Sequence, residues 1–198
     1  MAIRVVFGLG NPGAEHARQR HNAGFWFVDA LAAQSGVRLL MESKLNAEVG
    51  KLSGREPLLL VKPTTYMNRS GIAVSAVLHY YKIDPAEALL VHDDLDLPPG
   101  VARLKFDGGH GGQNGLRDTI AQLGHAKFHR LRIGIGHPGR KELVTPWVLG
   151  RANNADELAI RESIAAALAV LPLYCEGAIE RAMTLLHTAA NAKKANDS

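Results

Sequence analysis

Residues 3–13 read IRVVFGLGNPG, an apolar run that ends at three glycines and a proline. An apolar run without polar alternation is typical of a β-strand that is covered on both faces. Similar runs occur at residues 58–62 and 89–92. Residues 101–106 and 129–135 alternate instead between apolar and polar positions, which is typical of half-exposed strands. These five segments are the predicted strands.

Five helical stretches follow or separate the strands, at residues 23–34, 72–81, 116–123, 156–171 and 177–190. We expect Ser70 and Asn114 to cap the second and third stretches, Gly36 to end the first, and Pro172 to end the fourth. Strands interleaved with helices predict a single-domain α/β fold. The domain is predicted to span residues 1–192, with a polar C-terminal tail at 193–198.

Composition excludes several classes of protein. The 198 residues are 46% hydrophobic and 21% charged, which argues against global disorder. The single cysteine, Cys175, excludes an internal disulfide framework and a cysteine-rich zinc module, and is expected to be a core thiol in a reducing compartment. No apolar run approaches the ~20 residues of a membrane span, and the N-terminus lacks the pattern of a signal peptide. We therefore expect a cytoplasmic protein.

Positive charge is concentrated in one part of the chain. The net charge is +4, from 23 basic and 19 acidic residues, whereas residues 101–141 alone carry eight basic residues and two acidic ones. This cluster surrounds the glycine-rich segment GGHGGQNG at 108–115, where close approach of a ligand to the backbone or a mobile loop is expected. The segment lacks the G-K-[ST] of a Walker loop. Basic residues beside it favour a phosphate-bearing ligand.

Residues 8–13 fit G-x-G-x-x-G, the dinucleotide-binding fingerprint, directly after the first strand. The fingerprint also needs a helix that starts within the motif and an acidic residue at the end of the second strand. Here Pro12 removes a backbone donor, and Asp29, at about the right distance, lies in a predicted helix. The alternatives are a tight turn or a loop that presents the Asn11 amide, which can donate and accept hydrogen bonds.

Two further segments carry groups suited to acid–base chemistry. His21 lies just before the first helix, where the positive end of the helix dipole favours a neutral imidazole that could act as a general base. Asp93, Asp94 and Asp96 follow a buried strand. They could bind a divalent metal, supply one carboxylate that orients a histidine, or begin a turn. The sequence has no H-E-x-x-H and no second carboxylate cluster, so a metal site has little support.

Six segments, taken together, resemble the bacterial-type peptidyl-tRNA hydrolase family. They are residues 6–13 (VFGLGNPG), 20–24 (RHNAG), 62–71 (KPTTYMNRSG), 92–98 (HDDLDLP), 108–115 (GGHGGQNG) and 130–138 (RLRIGIGHP). The resemblance implies a twisted, mixed β-sheet flanked by helices. It also implies hydrolysis of the ester between peptide and tRNA, without cofactor or metal, in tRNA recycling and ribosome rescue. The implied partner is peptidyl-tRNA, bound through its peptide, acceptor stem and 5′ phosphate by a monomer with no obligate protein partner and no membrane.

The resemblance also assigns roles to residues. His21 matches the catalytic base and Asp93 the carboxylate that orients it. The substrate-binding positions are Asn11, Asn68 and Asn114, which hold the peptide end and the water, Tyr66, which lines the peptide site, and His16, where the family commonly has Tyr. Lys105 and Arg132 match the pair that grips the 5′ phosphate.

Hydrolysis of an ester needs no metal if a positioned base activates water and hydrogen-bond donors meet the developing oxyanion. Three other classes compete with this hypothesis. A non-enzymatic RNA-binding module would use the basic strands and the glycine segment. A nucleotide-cofactor enzyme would use residues 8–13, and a metal-dependent hydrolase would use Asp93, Asp94, Asp96 and nearby histidines.

Overall fold

A single sheet of seven strands runs through the computed structural model, which describes residues 2–54 and 57–196. The strands are β1 (Val5–Gly8), β2 (Leu40–Glu42), β3 (Ala47–Leu52), β4 (Leu58–Pro63), β5 (Ala88–Asp94), β6 (Ala102–Phe106) and β7 (His129–Gly134). Their spatial order is β2-β3-β4-β1-β5-β7-β6. The central strands β4, β1, β5 and β7 are parallel, and antiparallel strands extend both edges. The sheet is therefore mixed.

Six α-helices accompany this sheet in the described part of the chain: α1 (Ala23–Ser35), α2 (Ser70–Tyr81), α3 (Asn114–Leu123), α4 (Val144–Leu149), α5 (Asn154–Cys175) and α6 (Ile179–Asn196). Alternate residues of each strand face opposite sides of the sheet. Val6 accordingly packs with α1, α5 and α6, whereas Val5 and Phe7 pack with α2 and α3. Two apolar clusters result, one on each side of the sheet. Their packing fixes the positions of the strand ends, where polar residues lie.

The five predicted strands all exist, with ends that differ by no more than two residues. The sequence analysis missed β2 and β3, because β2 is short and exposed and Glu48 and Lys51 interrupt the apolar character of β3. The edge strand β6 is half-exposed as predicted. The same prediction was wrong for β7, which lies between two strands and is buried except at Arg132.

Helix ends differ more from the predictions. Gly36 ends α1 in a left-handed conformation, as expected. Asn114 does not cap α3, because the side chain of Gln113 accepts the hydrogen bond from the Leu116 N–H. Ser70 is not a cap either, since its hydroxyl donates to the Met67 carbonyl.

Pro172 lies inside α5, which continues for three more residues. The last helix reaches Asn196, so residues 193–196 of the predicted tail are helical. Residues 197–198 lie outside the described residues, and the domain boundary at 192 stays a prediction.

In the described part of the chain, α5 is the helix whose length and composition would suit a membrane span. One face of this helix, however, forms part of the core. Ile160, Ile164, Leu171 and Tyr174 are buried in the cluster that α5 shares with α1, α6 and the sheet. The composition of α5 is thus explained by packing within the domain.

Two glycines let α1 lie directly on the ends of the central strands. A Cβ on Gly8 would stand 2.3 Å from the Gly24 carbonyl oxygen, and a Cβ on Gly24 would stand 2.3 Å from the carbonyl oxygen of Val91. Real Cβ atoms do not approach backbone atoms so closely. Because Gly24 is in the first turn of α1, this contact fixes the turn before α1 next to the carboxyl end of β5.

We predict that Gly24→Ala lowers the free energy of unfolding by roughly 3 kcal/mol, because backbone on both sides of the added methyl cannot give way. Urea denaturation measures this. Gly36→Ala is the matched control, since a Cβ there meets no atom within 4 Å. Gly36→Ala should lower the free energy of unfolding by about 1 kcal/mol, because the positive φ alone strains a residue with a side chain. Equal losses for the two variants would show that the close contact at Gly24 is not a constraint.

Candidate active site

A cleft of about 460 Å³ opens at the carboxyl ends of β1 and β5. In α/β sheets this is where ligands bind. The walls come from the loop after β1, the turn before α1, the segment before α2, the glycine segment before α3, and α4. The residues that line it are Asn11, His16, His21, Tyr66, Met67, Asn68, Asp93, Asp94, Leu95, His110, Gly111, Gly112, Gln113, Asn114, Val144, Thr145, Val148 and Leu149. All seven residues predicted to be catalytic or substrate-binding are therefore brought together.

His21 and Asp93 form a buried pair in this cleft. His21 Nδ1 lies 2.8 Å from Asp93 Oδ2, and both side chains are less than 10% exposed. Asp93 comes from β5, and His21 from the short 3-10 turn Arg20–Asn22 that leads into α1. With an ionised carboxylate at Nδ1, that nitrogen donates and Nε2 is left to accept a proton.

The electrostatics of His21 differ from the expectation based on the helix dipole. Burial by itself lowers the pKa of His21, but the charge of Asp93 and the hydrogen bond to it outweigh burial and raise the pKa above its usual value. The expected neutral bias is thus reversed, because a carboxylate at 2.8 Å acts more strongly on the imidazole than the partial charge of a helix end.

Gln113 holds the other oxygen of the Asp93 carboxylate, a contact that the sequence analysis missed. Its Nε2 donates to Asp93 Oδ1 at 3.0 Å while its Oε1 accepts from the Leu116 N–H at 2.8 Å. One amide therefore caps α3 and orients the buried carboxylate. The available signal was an amide side chain at the helix boundary, but the neighbouring Asn114 was the more usual cap residue.

Asn11 is held from two sides. The side chain of Asn22 accepts from the Asn11 N–H at 2.8 Å and donates to the Asn11 carbonyl at 2.9 Å. The Met67 N–H donates to Asn11 Oδ1 at 2.7 Å. The amide of Asn11 therefore has a fixed orientation, with its oxygen used inside the protein.

The other predicted substrate-binding residues lie around the rim. Tyr66 and Asn68 are exposed beside the buried Met67. The ring of His16 stands edge-on to Tyr66 at 6.0 Å between ring centroids. Asn114, the first residue of α3, is exposed and accepts from Arg117 Nη1 at 3.0 Å. These side chains form an open, polar and aromatic border to the buried pair.

Lys105 and Arg132 do not line the cleft. Lys105 is exposed on the edge strand β6, where it lies opposite Arg130 of β7. Arg132 lies two residues further along β7, so the two predicted phosphate ligands are diagonal neighbours on one face, about 7–8 Å apart at their backbones. The Nε of Arg132 donates to Asp94 Oδ2 at 2.7 Å, which ties this basic face to a residue of the cleft.

Arg130 is only 2% exposed and contacts the glycine segment. Its guanidinium donates to the backbone carbonyls of Gly108 and Gly109. Arg130 lies opposite Lys105 in the sheet, but its guanidinium N–H groups are directed into the protein. The glycine segment is thus anchored at its start, and Gly111 and Gly112 remain in open space with positive φ.

The loop after β1 does not form a dinucleotide site. After Gly10 the chain makes a 3-10 turn at Ala14–His16, and α1 begins only at Ala23, so no helix starts within the motif. Asp29 lies in α1 and pairs with Lys62. The glycines instead allow close packing, since a Cβ on Gly10 would collide with the ring of Phe25.

The residues that the structure describes include no group of three or more His, Cys, Asp and Glu side chains placed to hold a metal ion. Cys175 packs against the core at the end of α5, and burial raises the pKa of its thiol to about 12. A thiol with this pKa stays protonated near neutral pH and is a poor nucleophile.

Comparison with known proteins gives one consistent family. The family described as Peptidyl-tRNA hydrolase matches residues 5–196. Peptidyl-tRNA hydrolases of Xanthomonas oryzae pv. oryzae and Stenotrophomonas maltophilia are each 58% identical to this chain, over 96% and 94% of it and 99% and 97% of their own lengths. The crystal structure of the peptidyl-tRNA hydrolase from Acinetobacter baumannii superposes with a TM-score of 0.90 at 45% identity, over 93% of this chain and 94% of that one. By sequence and by fold, this chain belongs to the peptidyl-tRNA hydrolase family.

Proposed function

We propose that the His21–Asp93 pair catalyses the hydrolysis of peptidyl-tRNA, the reaction of the family to which the chain belongs. The protein is a hydrolase, its substrate is peptidyl-tRNA, and it cleaves the ester between peptide and tRNA. The observation that carries the assignment is the 2.8 Å contact between His21 Nδ1 and Asp93 Oδ2 in a cleft that also holds the predicted amides.

In the proposed reaction, His21 Nε2 takes a proton from water as the water oxygen attacks the ester carbonyl carbon. Asp93 keeps Nδ1 protonated and stabilises the imidazolium that forms, as the carboxylate of a catalytic triad does. Gln113 keeps the Asp93 carboxylate in place through its other oxygen. The amides of Asn68 and Asn114 are the proposed donors to the water and to the developing oxyanion.

The tetrahedral intermediate then collapses with cleavage of the bond between the carbonyl carbon and the 3′ oxygen of the terminal ribose. The imidazolium returns its proton to that oxygen, which leaves free tRNA and a peptide carboxylic acid, and this acid releases the second proton of the water to solvent as it ionises. The sequence of steps needs no cofactor and no protein nucleophile, since water supplies the attacking oxygen.

Asn11 is the proposed selectivity residue. Its oxygen is held by the Met67 N–H, so its nitrogen is the end that can donate to a peptide carbonyl in the cleft. A peptidyl-tRNA offers a neutral amide there, whereas an aminoacyl-tRNA would place a free ammonium in a partly buried site. Desolvation of that charge without a partner disfavours the aminoacyl form.

Lys105 and Arg132 are the proposed ligands of the 5′ phosphate of the acceptor stem. Contacts with phosphate position a nucleic acid without reading its sequence, which suits an enzyme that accepts many tRNAs. We propose in addition that the protein acts as a monomer, as the family resemblance implies, and in the cytoplasm, as the sequence analysis expects.

The direct test uses an N-acetylated aminoacyl-tRNA and its unblocked counterpart. We expect the protein to release free tRNA from the blocked substrate and to leave the unblocked one largely intact. His21→Ala should lower kcat on the blocked substrate by about 10²–10⁴-fold, the usual contribution of a general base, and leave tRNA binding nearly unchanged. Near-normal kcat in this variant would refute the role of His21.

The pH profile tests the role of Asp93. Because His21 must be neutral to accept a proton, kcat/KM rises with pH through the raised pKa of His21. Asp93→Asn removes the charge that stabilises the imidazolium, so the pKa falls. The rising limb moves to lower pH while kcat drops at least about 100-fold. Asp94→Asn is the control, since Asp94 pairs with Arg132. Equal effects of the two substitutions would favour a carboxylate cluster acting on a divalent metal.

The phosphate ligands are tested by salt dependence. Lys105→Ala and Arg132→Ala should each raise KM more than they lower kcat. Each should also reduce the slope of log K for tRNA binding against log salt concentration by roughly one released ion. Lys51→Ala, at an exposed lysine of β3 in the opposite half of the sheet, should leave both unchanged. A truncated substrate without the acceptor-stem phosphate should be cleaved equally by variants and parent. An equal loss on that substrate would assign these residues to the fold or the active centre.

A further inference from the structure

An apolar wall of the cleft is formed by α4, a helix of six residues. α4 contributes Val144, Val148 and Leu149, together with Thr145, to the lining. No residue of α4 is fully buried. The helix packs against the turn Arg20–Asn22 and against the turn that precedes it, Lys141–Leu143, while Trp147 and Val148 also pack against the core. The contacts with the turn Arg20–Asn22 are those that connect its position to His21.

Arg20 supplies several of these interactions. Its guanidinium carbon lies 3.7 Å from the centroid of the Trp147 ring, and its Nη1 donates to the Trp147 carbonyl at 3.2 Å. Its backbone N–H donates to the carbonyl of Gly150, directly after α4. A Cβ on Gly150 would stand 2.8 Å from the Pro146 carbonyl oxygen of α4 and 3.4 Å from Arg20 Nη1. Arg20 thus holds both a side chain and the backbone of the α4 segment.

The burial of Arg20 is unusual for an arginine without a paired carboxylate at contact distance. The residue is 6% exposed, and its Nε is buried without a hydrogen-bond partner. An arginine is normally buried only where its planar group is stacked or paired. Here the aromatic face of Trp147 covers it, and the Trp147 ring is itself fixed because its Nε1 donates to the Gly136 carbonyl at 3.0 Å.

We propose that Arg20 is a positioning residue that holds α4 at a fixed distance from His21 and so sets how well apolar side chains of the bound peptide fit. The proposal rests on the proposed function, because it concerns the peptide site of that reaction. Arg20 precedes His21 in the chain, and α4 lines the same cleft as the His21–Asp93 pair. Loss of the stacked guanidinium frees the wall without removing any group from the reacting centre.

The experiment compares two blocked substrates, N-acetylglycyl-tRNA and N-acetylphenylalanyl-tRNA. We expect Arg20→Ala to raise KM about 10-fold for the phenylalanyl substrate, the scale of a lost apolar contact, and less than about twofold for the glycyl substrate. The pH at which kcat/KM rises should stay unchanged, because His21 and Asp93 keep their contact. Arg20→Lys keeps the charge but loses the planar stack, and should fall between the parent and Arg20→Ala.

A double-mutant cycle with Trp147 separates this role from general destabilisation. Trp147→Ala should reproduce the substrate-dependent rise in KM, and the double variant should add little to either single change. Arg161→Ala is the matched control, an arginine of α5 that lies over the ring of Trp26 at 5.0 Å and pairs with Glu157. It should leave both KM values unchanged. Trp147→Phe keeps a ring beneath Arg20 and serves where the alanine variant does not fold.

Three results would overturn the proposal: an equal loss on both substrates, a shifted pH profile in Arg20→Ala, or fully additive effects in the cycle. Each would assign Arg20 to the fold or to the electrostatics of His21. Failure of the unsubstituted protein to cleave either blocked substrate is a separate result that refutes the proposed function itself.

Discussion

The contact between Gly8 and Gly24 is the constraint on which the site depends. Neither position has room for a Cβ, so the first turn of α1 rests on the backbone of β1 and β5. This contact places the turn with His21 and Asn22 at the carboxyl ends of those strands. From there His21 reaches Asp93, and Asn22 reaches the Asn11 backbone. If α1 lay further from these strands by about the size of a methyl group, His21 would be separated from Asp93, and Asn22 from the Asn11 backbone.

The chemistry of the cleft follows from how its buried polar groups are paired. An isolated charge in such a place would be neutralised, because desolvation is costly. Asp93 instead has the His21 imidazole on one oxygen and the Gln113 amide on the other. The carboxylate raises the pKa of His21 against the effect of burial. In the proposed reaction the imidazole accepts a proton and later returns it. Proton transfer in both directions is what ester cleavage by water requires.

Arginines connect the cleft to its surroundings. Arg130 anchors the glycine segment, Arg132 pairs with Asp94 at the edge of the cleft, and Arg20 holds α4. Planar guanidinium groups suit these places, because they donate in several directions and stack on rings at the same time. The basic character of residues 101–141 therefore has two components: side chains such as Lys105 that face solvent, and a buried side chain, Arg130, that holds the loop.

The sequence by itself determined the α/β fold and the five main strands, because apolar periodicity is a local property of the chain. The segments that supply His21, Asp93 and the three asparagines were identified by their resemblance to a family, since periodicity assigns no roles to residues. It did not determine the exposed strands β2 and β3, whose pattern is too weak. The raised pKa of His21, the double role of Gln113 and the burial of Arg130 and Arg20 were decided only by the tertiary structure. Each depends on a partner distant in sequence, Asp93 for His21, Trp147 for Arg20, and on the few ångströms that packing leaves between them.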